Sequence, residues 1–275
     1  MKETLSRAII GLGVCVAALA SCGAPGPDRE RILLVTTTSV EASGLLEEIL
    51  TSYHAAQNRY RLAPTAVGSG AALEIARRGD ADVLLTHDPR GERAFATAGH
   101  AVDQGPVMMN DFVVVGPGSD PASLGASAGP VDAFRRLGEE GVRFLSRGDD
   151  SGTHAREREL WDSAGLSPWT SRPPWYVEAG TGMAETLQMA SQLGAYTLTD
   201  RGTFLHLRQR LRLQPLVEGG PVLENHYTYT VPRNSGNPEG ARDFLAWLTG
   251  PGQGVIADYG VALFGEPLFR PTAGG

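Results

Sequence analysis

Residues 144–161 read FLSRGDDSGTHARERELW. Phe144-Leu145 reads as a short buried strand. Ser146 to Thr153 is small, polar and glycine-punctuated, and therefore a loop. Arg156 to Trp161 reads as a helix. A strand that ends in a small polar loop and opens a helix is half of a βαβ unit. The device recurs three times. Arg31 to Thr36 (RILLVT) is an apolar, β-branched strand, followed by Thr37-Thr38-Ser39 and a helical pattern of Leu45, Leu46, Ile49, Leu50 and Tyr53. Tyr60 to Val67 leads into Gly68-Ser69-Gly70 and a helix through Ile75. Trp175-Tyr176-Val177 leads into Gly180-Thr181-Gly182 and a helix through Met189. Further strands are expected at Val83–Leu85, Phe112–Val115, Ala195–Leu198 and Tyr227–Val231, with a helix over Ala241–Leu248. The closing segment, Leu263 to Pro271, is expected to cross the surface. The pattern predicts the α/β class with parallel strands, and no tandem repeat interrupts it.

Composition bounds what such a protein can do. The chain has 275 residues, 41% hydrophobic and 20% charged, enough for an ordered core in one large or two medium domains. The formal net charge is −7 and no basic block occurs, which argues against a nucleic-acid partner. The one lysine is Lys2, so Schiff-base and P-loop lysine chemistry are absent from everything after it. Lys2 and Arg7 flank an apolar run, Ala8 to Ala20, too short to span a membrane. It ends in Leu19-Ala20-Ser21-Cys22, which looks like a lipobox. Residues 1–21 are then a lipoprotein signal peptide, Cys22 is the lipidated N-terminus, and 22–30 is a tether. Cys15, the other cysteine, leaves with the signal, so no disulfide is expected. The expected location is the outer side of the cytoplasmic membrane, lipid-anchored and facing the periplasm or the exterior.

In open α/β sheets ligands bind at the carboxyl ends of strands. Four such loops, two in each half, suggest one ligand held between two lobes. Helix N-termini offer unsatisfied N–H groups and partial positive charge. The hydroxyls of Thr37, Thr38, Ser39, Ser69, Ser151 and Thr153 add donors, and Gly70 and Gly152 let backbone approach closely. Arg147 is the single cation of the four loops, and its planar fork suits an oxyanion. This chemistry fits a small tetrahedral oxyanion. The same residues also cap helices, and Arg147 can pair with Asp149 or Asp150, so the residues alone leave both readings open. Ser151 and His154 invite a secreted serine hydrolase or phosphatase reading, but no G-x-S-x-G elbow is present. His54, His87, His100, His206 and His226 are scattered without metal-ligand spacing, and GSGAAL and GTGMAE lack the dinucleotide fingerprint. No metal, cofactor or enzymatic activity is expected. Trp169 to Tyr176 either lines a sugar or peptide pocket or packs internally.

Six strings carry a family resemblance: TTTS (Thr36–Ser39), VGSG (Val67–Gly70), DADVLLTHDP (Asp80–Pro89), NDFVVVGP (Asn110–Pro117), SRGDDSGTH (Ser146–His154) and AYTLTDRGT (Ala195–Thr203). Together they resemble the tungstate-binding proteins of bacterial ABC importers, from about Leu33 to Phe269. The resemblance implies a two-lobed periplasmic-binding-protein fold of type II, with two α/β lobes joined by two crossover strands. The expected lobes are residues 31–112 plus 230–275, and 113–229. By motif, Thr37, Thr38, Ser39, Ser69, Gly70, Arg147, Ser151, Gly152 and Thr153 would hold the oxyanion, with Asp149 and Asp150 orienting Arg147 from behind. Two strings depart slightly: Gly68-Ser69-Gly70 stands where Gly-Thr-Gly is common, keeping the hydroxyl, and GTGMAE stands for GTGMGE. The implied partners are tungstate, an ABC permease and its ATPase, and the membrane through the lipid; a monomer is expected. Molybdate, phosphate and sulfate are alternative ligands of the same class.

Overall fold

The computed structural model describes residues 29–273. The signal peptide expected at 1–21, the lipidation site Cys22 and all but the end of the tether lie outside the described residues, as do residues 274–275.

β1 (Glu30–Thr37) buries Ile32, Leu34 and Val35 and runs straight into α1 (Thr38–Ala42). Gly44, at φ +83°, turns the chain into α2 (Leu45–Ala56), whose Leu45, Leu46, Ile49 and Tyr53 face the core. β2 (Tyr60–Val67) and α3 (Ser69–Arg77) follow, then β3 (Val83–Thr86), which is buried along its whole length. α4 (Pro89–Thr97) starts at an Asp88 cap, whose carboxylate accepts from Gly91 N–H at 3.0 Å. β1 is parallel to both β2 and β3, as βαβ units require.

β4 (Ala101–Pro117) has 17 residues and serves two sheets. It is followed by α5 (Pro130–Glu140), β5 (Phe144–Ser146), α6 (Gly152–Ser163), α7 (Pro168–Ser171) and β6 (Tyr176–Glu178). Next come α8 (Met183–Leu193), β7 (Thr197–Asp200), α9 (Arg201–Leu207) and β8 (Leu213–Val217). The chain closes with β9 (Glu224–Pro232), α10 (Pro238–Leu248), α11 (Gly252–Asp258), α12 (Val261–Phe264) and β10 (Arg270–Pro271). In one sheet the strand order is β10-β4-β9-β3-β1-β2. Beyond Asp111, β4 leaves β9 and pairs with β7 over Phe112–Val115 and with β8 over Val114–Pro117. β5 and β6 are parallel, and a Phe144–Tyr196 bridge joins them to the start of β7.

Three expectations are corrected. The sheets are mixed: β9 is antiparallel to β3 and β4, and β4 is antiparallel to β7, β8 and β10. Phe112–Val115 is not a separate strand but the far part of β4. The closing segment does not merely cross the surface. Leu268 and Phe269 are buried, Phe269 sits edge-on to Tyr227 at 5.7 Å, and β10 pairs with Met108 and Met109. The Trp169–Tyr176 stretch serves packing: Trp175 and Tyr176 join Phe134, Phe144 and Trp161 in one aromatic cluster.

Candidate functional site

Thr37 ends β1 and caps α1, its hydroxyl accepting from Val40 N–H at 3.4 Å. Ser39, in the first turn of α1, is fully buried, and its Oγ has no partner among the described residues. The next loop repeats this arrangement. α3 opens at Gly68 without a side-chain cap, and the buried Ser69 Oγ is again unpartnered among the described residues. A buried, unpaired hydroxyl costs about 1–3 kcal/mol, so two such groups at the ends of adjacent strands point to an acceptor that the fold is built to receive.

The third loop carries the charge. Arg147 follows β5 and is 1% exposed. Its Nη2 donates to Thr38 Oγ1 at 3.1 Å and to the Asp149 carboxylate, while Nε and Nη1 have no partner among the described residues. Gly148 (φ +59°) and Asp150 (φ +54°) are both left-handed, which coils the loop tightly over the start of α6. Ser151 caps that helix, its Oγ accepting from His154 N–H at 3.2 Å. Asp149 Oδ1 accepts from Ser151 N–H at 3.2 Å. Thr153 Oγ1 is buried and unpartnered among the described residues.

These loops touch one another. Arg147 reaches Thr38 directly. A Cβ on Gly68 would lie 3.3 Å from the Asp149 carbonyl, and one on Gly70 3.1 Å from the Asp150 carbonyl. A Cβ on Gly152 would lie 2.5 Å from the His87 carbonyl oxygen. Donors from β1, β2 and β5 thus meet across the two sheets, packed at glycine distance. What they share is donor character: hydroxyls, guanidinium nitrogens and the first N–H groups of α3 and α6. Such a cluster can surround an anion on several sides.

A polar network lies under the meeting point. His87 Nδ1 is 2.8 Å from Asn225 Oδ1, and Asn225 Nδ2 donates to Asn110 Oδ1 (2.7 Å) and to the Tyr227 hydroxyl (3.1 Å). Asn225 Oδ1 can only accept, so His87 carries its proton on Nδ1. The imidazole stacks on Tyr227 at 4.8 Å, and burial pulls its pKa down to about 4, which keeps it neutral. Asp200, fully buried at the end of β7, accepts from Thr203 N–H and Oγ1, both at 2.8 Å. Burial raises its pKa, and the Arg147 charge opposes that rise. Tyr227 is held well above its ordinary value by burial, then by Asp200.

Of the residues expected at the site, Thr38, Ser39, Ser69, Gly70, Arg147, Asp149, Ser151, Gly152 and Thr153 lie in these three touching loops. Thr37 lies there as a cap. The Asp150 side chain is exposed and reaches His154 at 3.7 Å instead of Arg147. His154, which with Ser151 invites the hydrolase reading, is buried, and its Nδ1 accepts from Asp150 N–H at 3.1 Å. The one hydrogen bond between Ser151 and His154 runs from the His154 backbone N–H, and the ring Nε2 is buried without a partner among the described residues. Sequence reasoning missed His87, Asn110, Asn225, Tyr227 and Asp200. Asn110 and Asn225 had one available signal, asparagine inside strand-like sequence, where it is rare. Among the described residues no three metal-ligating side chains gather.

The sequence pattern described as "PBP superfamily domain" matches residues 23–251. The chain is 38% identical to the tungstate-binding protein TupA of Peptoclostridium acidaminophilum, with 99% of each chain covered. Among solved structures it is similar to that of the tungstate ABC transporter from Geobacter sulfurreducens (TM-score 0.73, 38% identity, 84% of this chain and 99% of that one). It is also similar to the tungstate-binding protein TupA from Desulfovibrio alaskensis G20 (TM-score 0.72, 35% identity, 89% and 99% covered).

Proposed function

The chain belongs to the PBP superfamily and, within it, to the family of the tungstate-binding proteins, and we propose that it is the extracytoplasmic substrate-binding component of an ABC importer, capturing a tetrahedral oxyanion, tungstate foremost. One observation carries this reading: a fully buried guanidinium with two nitrogens unpaired among the described residues, in contact with loops that bury hydroxyls likewise unpaired among them. Asp149 pairs with Nη2 alone, so Nε and Nη1, without partners among the described residues, are left to donate to a second acceptor.

In this reading Ser39, Ser69, Thr153 and Arg147 donate directly. Thr37, Thr38 and Ser151 each accept one hydrogen bond and keep a hydroxyl proton to offer. Gly70 and Gly152 contribute backbone N–H groups, and Asp149 orients Arg147. The lining is of donors, with its one carboxylate already engaged. It therefore favours anions without a proton, tungstate, molybdate and sulfate, over hydrogen phosphate, whose hydroxyl would find no acceptor. The two lobes are residues 30–111 with 224–273, and 112–223. The pairing of β9 with β4 from Glu224 onward supports starting the returning segment at 224. Closure of the lobes on the anion forms the surface that a permease and its ATPase read. Cys22 holds the monomer to the membrane by lipid.

Calorimetric competition among tungstate, molybdate, sulfate and phosphate tests this. Tungstate and molybdate should bind tightest and phosphate weakest, and Arg147→Ala should weaken tungstate by about 2–5 kcal/mol. Unchanged affinity in Arg147→Ala, or preference for phosphate, would overturn it.

A further inference from the structure

Glu157 lies in α6, behind the loop that carries Arg147, and is 1% exposed. Its Oε1 accepts from Tyr176 O–H at 2.9 Å and Trp161 Nε1–H at 3.2 Å. The Ser146 hydroxyl and the backbone N–H of Arg147 also face this carboxyl and favour its charged form. Ser146 Oγ accepts from Gly148 N–H at 3.2 Å, which leaves its proton for Glu157. Every neighbour is thus a donor. Indole and backbone N–H groups cannot accept, so the arrangement fits a carboxylate. Burial opposes it.

We propose that Glu157 is a positioning residue of the anion site, which as a carboxylate fixes the Ser146–Arg147 backbone and takes up one proton from solvent as a dianion enters. This rests on the oxyanion reading above. Burial pushes the pKa of Glu157 up to about 7 against its four donors, so near neutral pH the group stands at the edge of protonation. A dianion on Arg147 adds two negative charges to the same buried region and cancels the guanidinium field, which favours the protonated form. The titratable groups that act on Glu157 are Tyr176 on β6, which bonds to it, and Arg147 after β5 through its backbone N–H; Glu178, beside Tyr176 on β6, and His154, on α6 itself, are the next along those elements. From α5 the neighbour is Phe134, packed on Trp161. Burial lowers the pKa of His154, which keeps it largely neutral above pH 7.

The test is titration of the purified protein with sodium tungstate between pH 6 and 9, in pairs of buffers with different ionisation enthalpies. The expected result is net uptake of up to one proton, greatest just above pH 7. Affinity should be nearly flat below about pH 6.5, then fall as pH rises, by at most tenfold per unit. Tyr176→Phe removes one donor from the carboxylate without touching the anion and should move the onset of that fall to higher pH, which a purely structural role would not do. Glu157→Gln should abolish both uptake and slope. Binding with equal heats in both buffers and a flat profile overturns the proposal. So does a wild-type profile retained in Tyr176→Phe and Glu157→Gln. No tungstate binding at any pH instead overturns the oxyanion reading itself.

Discussion

Gly152→Ala isolates the close approach of the two halves. A Cβ at position 152 would stand 2.5 Å from the His87 carbonyl oxygen and 2.8 Å from its ring atoms, where ordinary contact begins near 3.4 Å. The loop must therefore withdraw by roughly 1 Å. His87 cannot yield easily, because Asn225 and Tyr227 hold its ring, and its backbone supplies the nearest atom. A 1 Å withdrawal stretches the 3.1 Å Arg147–Thr38 bond beyond hydrogen-bond range and parts Arg147 from the hydroxyls of the other loops. Losing one charge-assisted hydrogen bond costs about 1.5–3 kcal/mol, so tungstate should bind roughly 10- to 150-fold more weakly. The anion-free protein should lose thermal stability as well, since the clash is with backbone and the Arg147–Thr38 bond is present without anion, and the better helix propensity of alanine offsets this only in part. Calorimetry with tungstate, paired with thermal unfolding without anion, reads both quantities. Affinity within twofold of wild type at unchanged thermal stability would refute the close-approach argument.

Two further outcomes are expected. Cys22→Ser should move the protein from the membrane to the soluble fraction without changing oxyanion affinity, measured by fractionation and calorimetry; continued membrane attachment would contradict the lipid anchor. Buried His87 has a folded pKa near 4 against an unfolded value of 6.5, so its stabilising contribution is complete above pH 6.5 and is lost as pH falls towards 4, by about 3 kcal/mol. Glu157 acts with the opposite sign between about 4.5 and 7, so the His87 contribution is read as the pH-dependent difference between wild type and His87→Gln in denaturant unfolding.

Local sequence carried the strand–loop–helix units well, because their signals are periodicity and small polar residues within ten positions of each other. α1, α3, α6 and α8 all begin within those loops or directly after them. What local sequence could not carry was pairing at a distance. β9 lies between β3 and β4, more than one hundred residues upstream, and nothing around Tyr227 announces either neighbour. The burial of Phe269 depends on that same pairing. At the site the limit is chemical. A threonine hydroxyl that caps a helix and one that meets an anion look identical in a sequence, and Thr37 and Ser39, two residues apart, are told apart only by what each hydroxyl touches. Asp150 was misread because its neighbour Asp149 takes the position beside Arg147, while left-handed backbone turns Asp150 outward.

β4 also governs when the protein can fold. Its first half needs β9 and β10 as partners and its second half needs β7 and β8. A nascent chain emerging from the ribosome through residue 223 has therefore made this central strand without two of its partners, and the edge strand arrives only at Arg270–Pro271. Closing such long loops is slow and entropically costly. The early βαβ segment, left with β3 unpaired on one side, stays open until translation is nearly over. The native state is thus reserved for the finished chain, and a polypeptide that must thread a narrow channel before folding gains that delay from strand order alone.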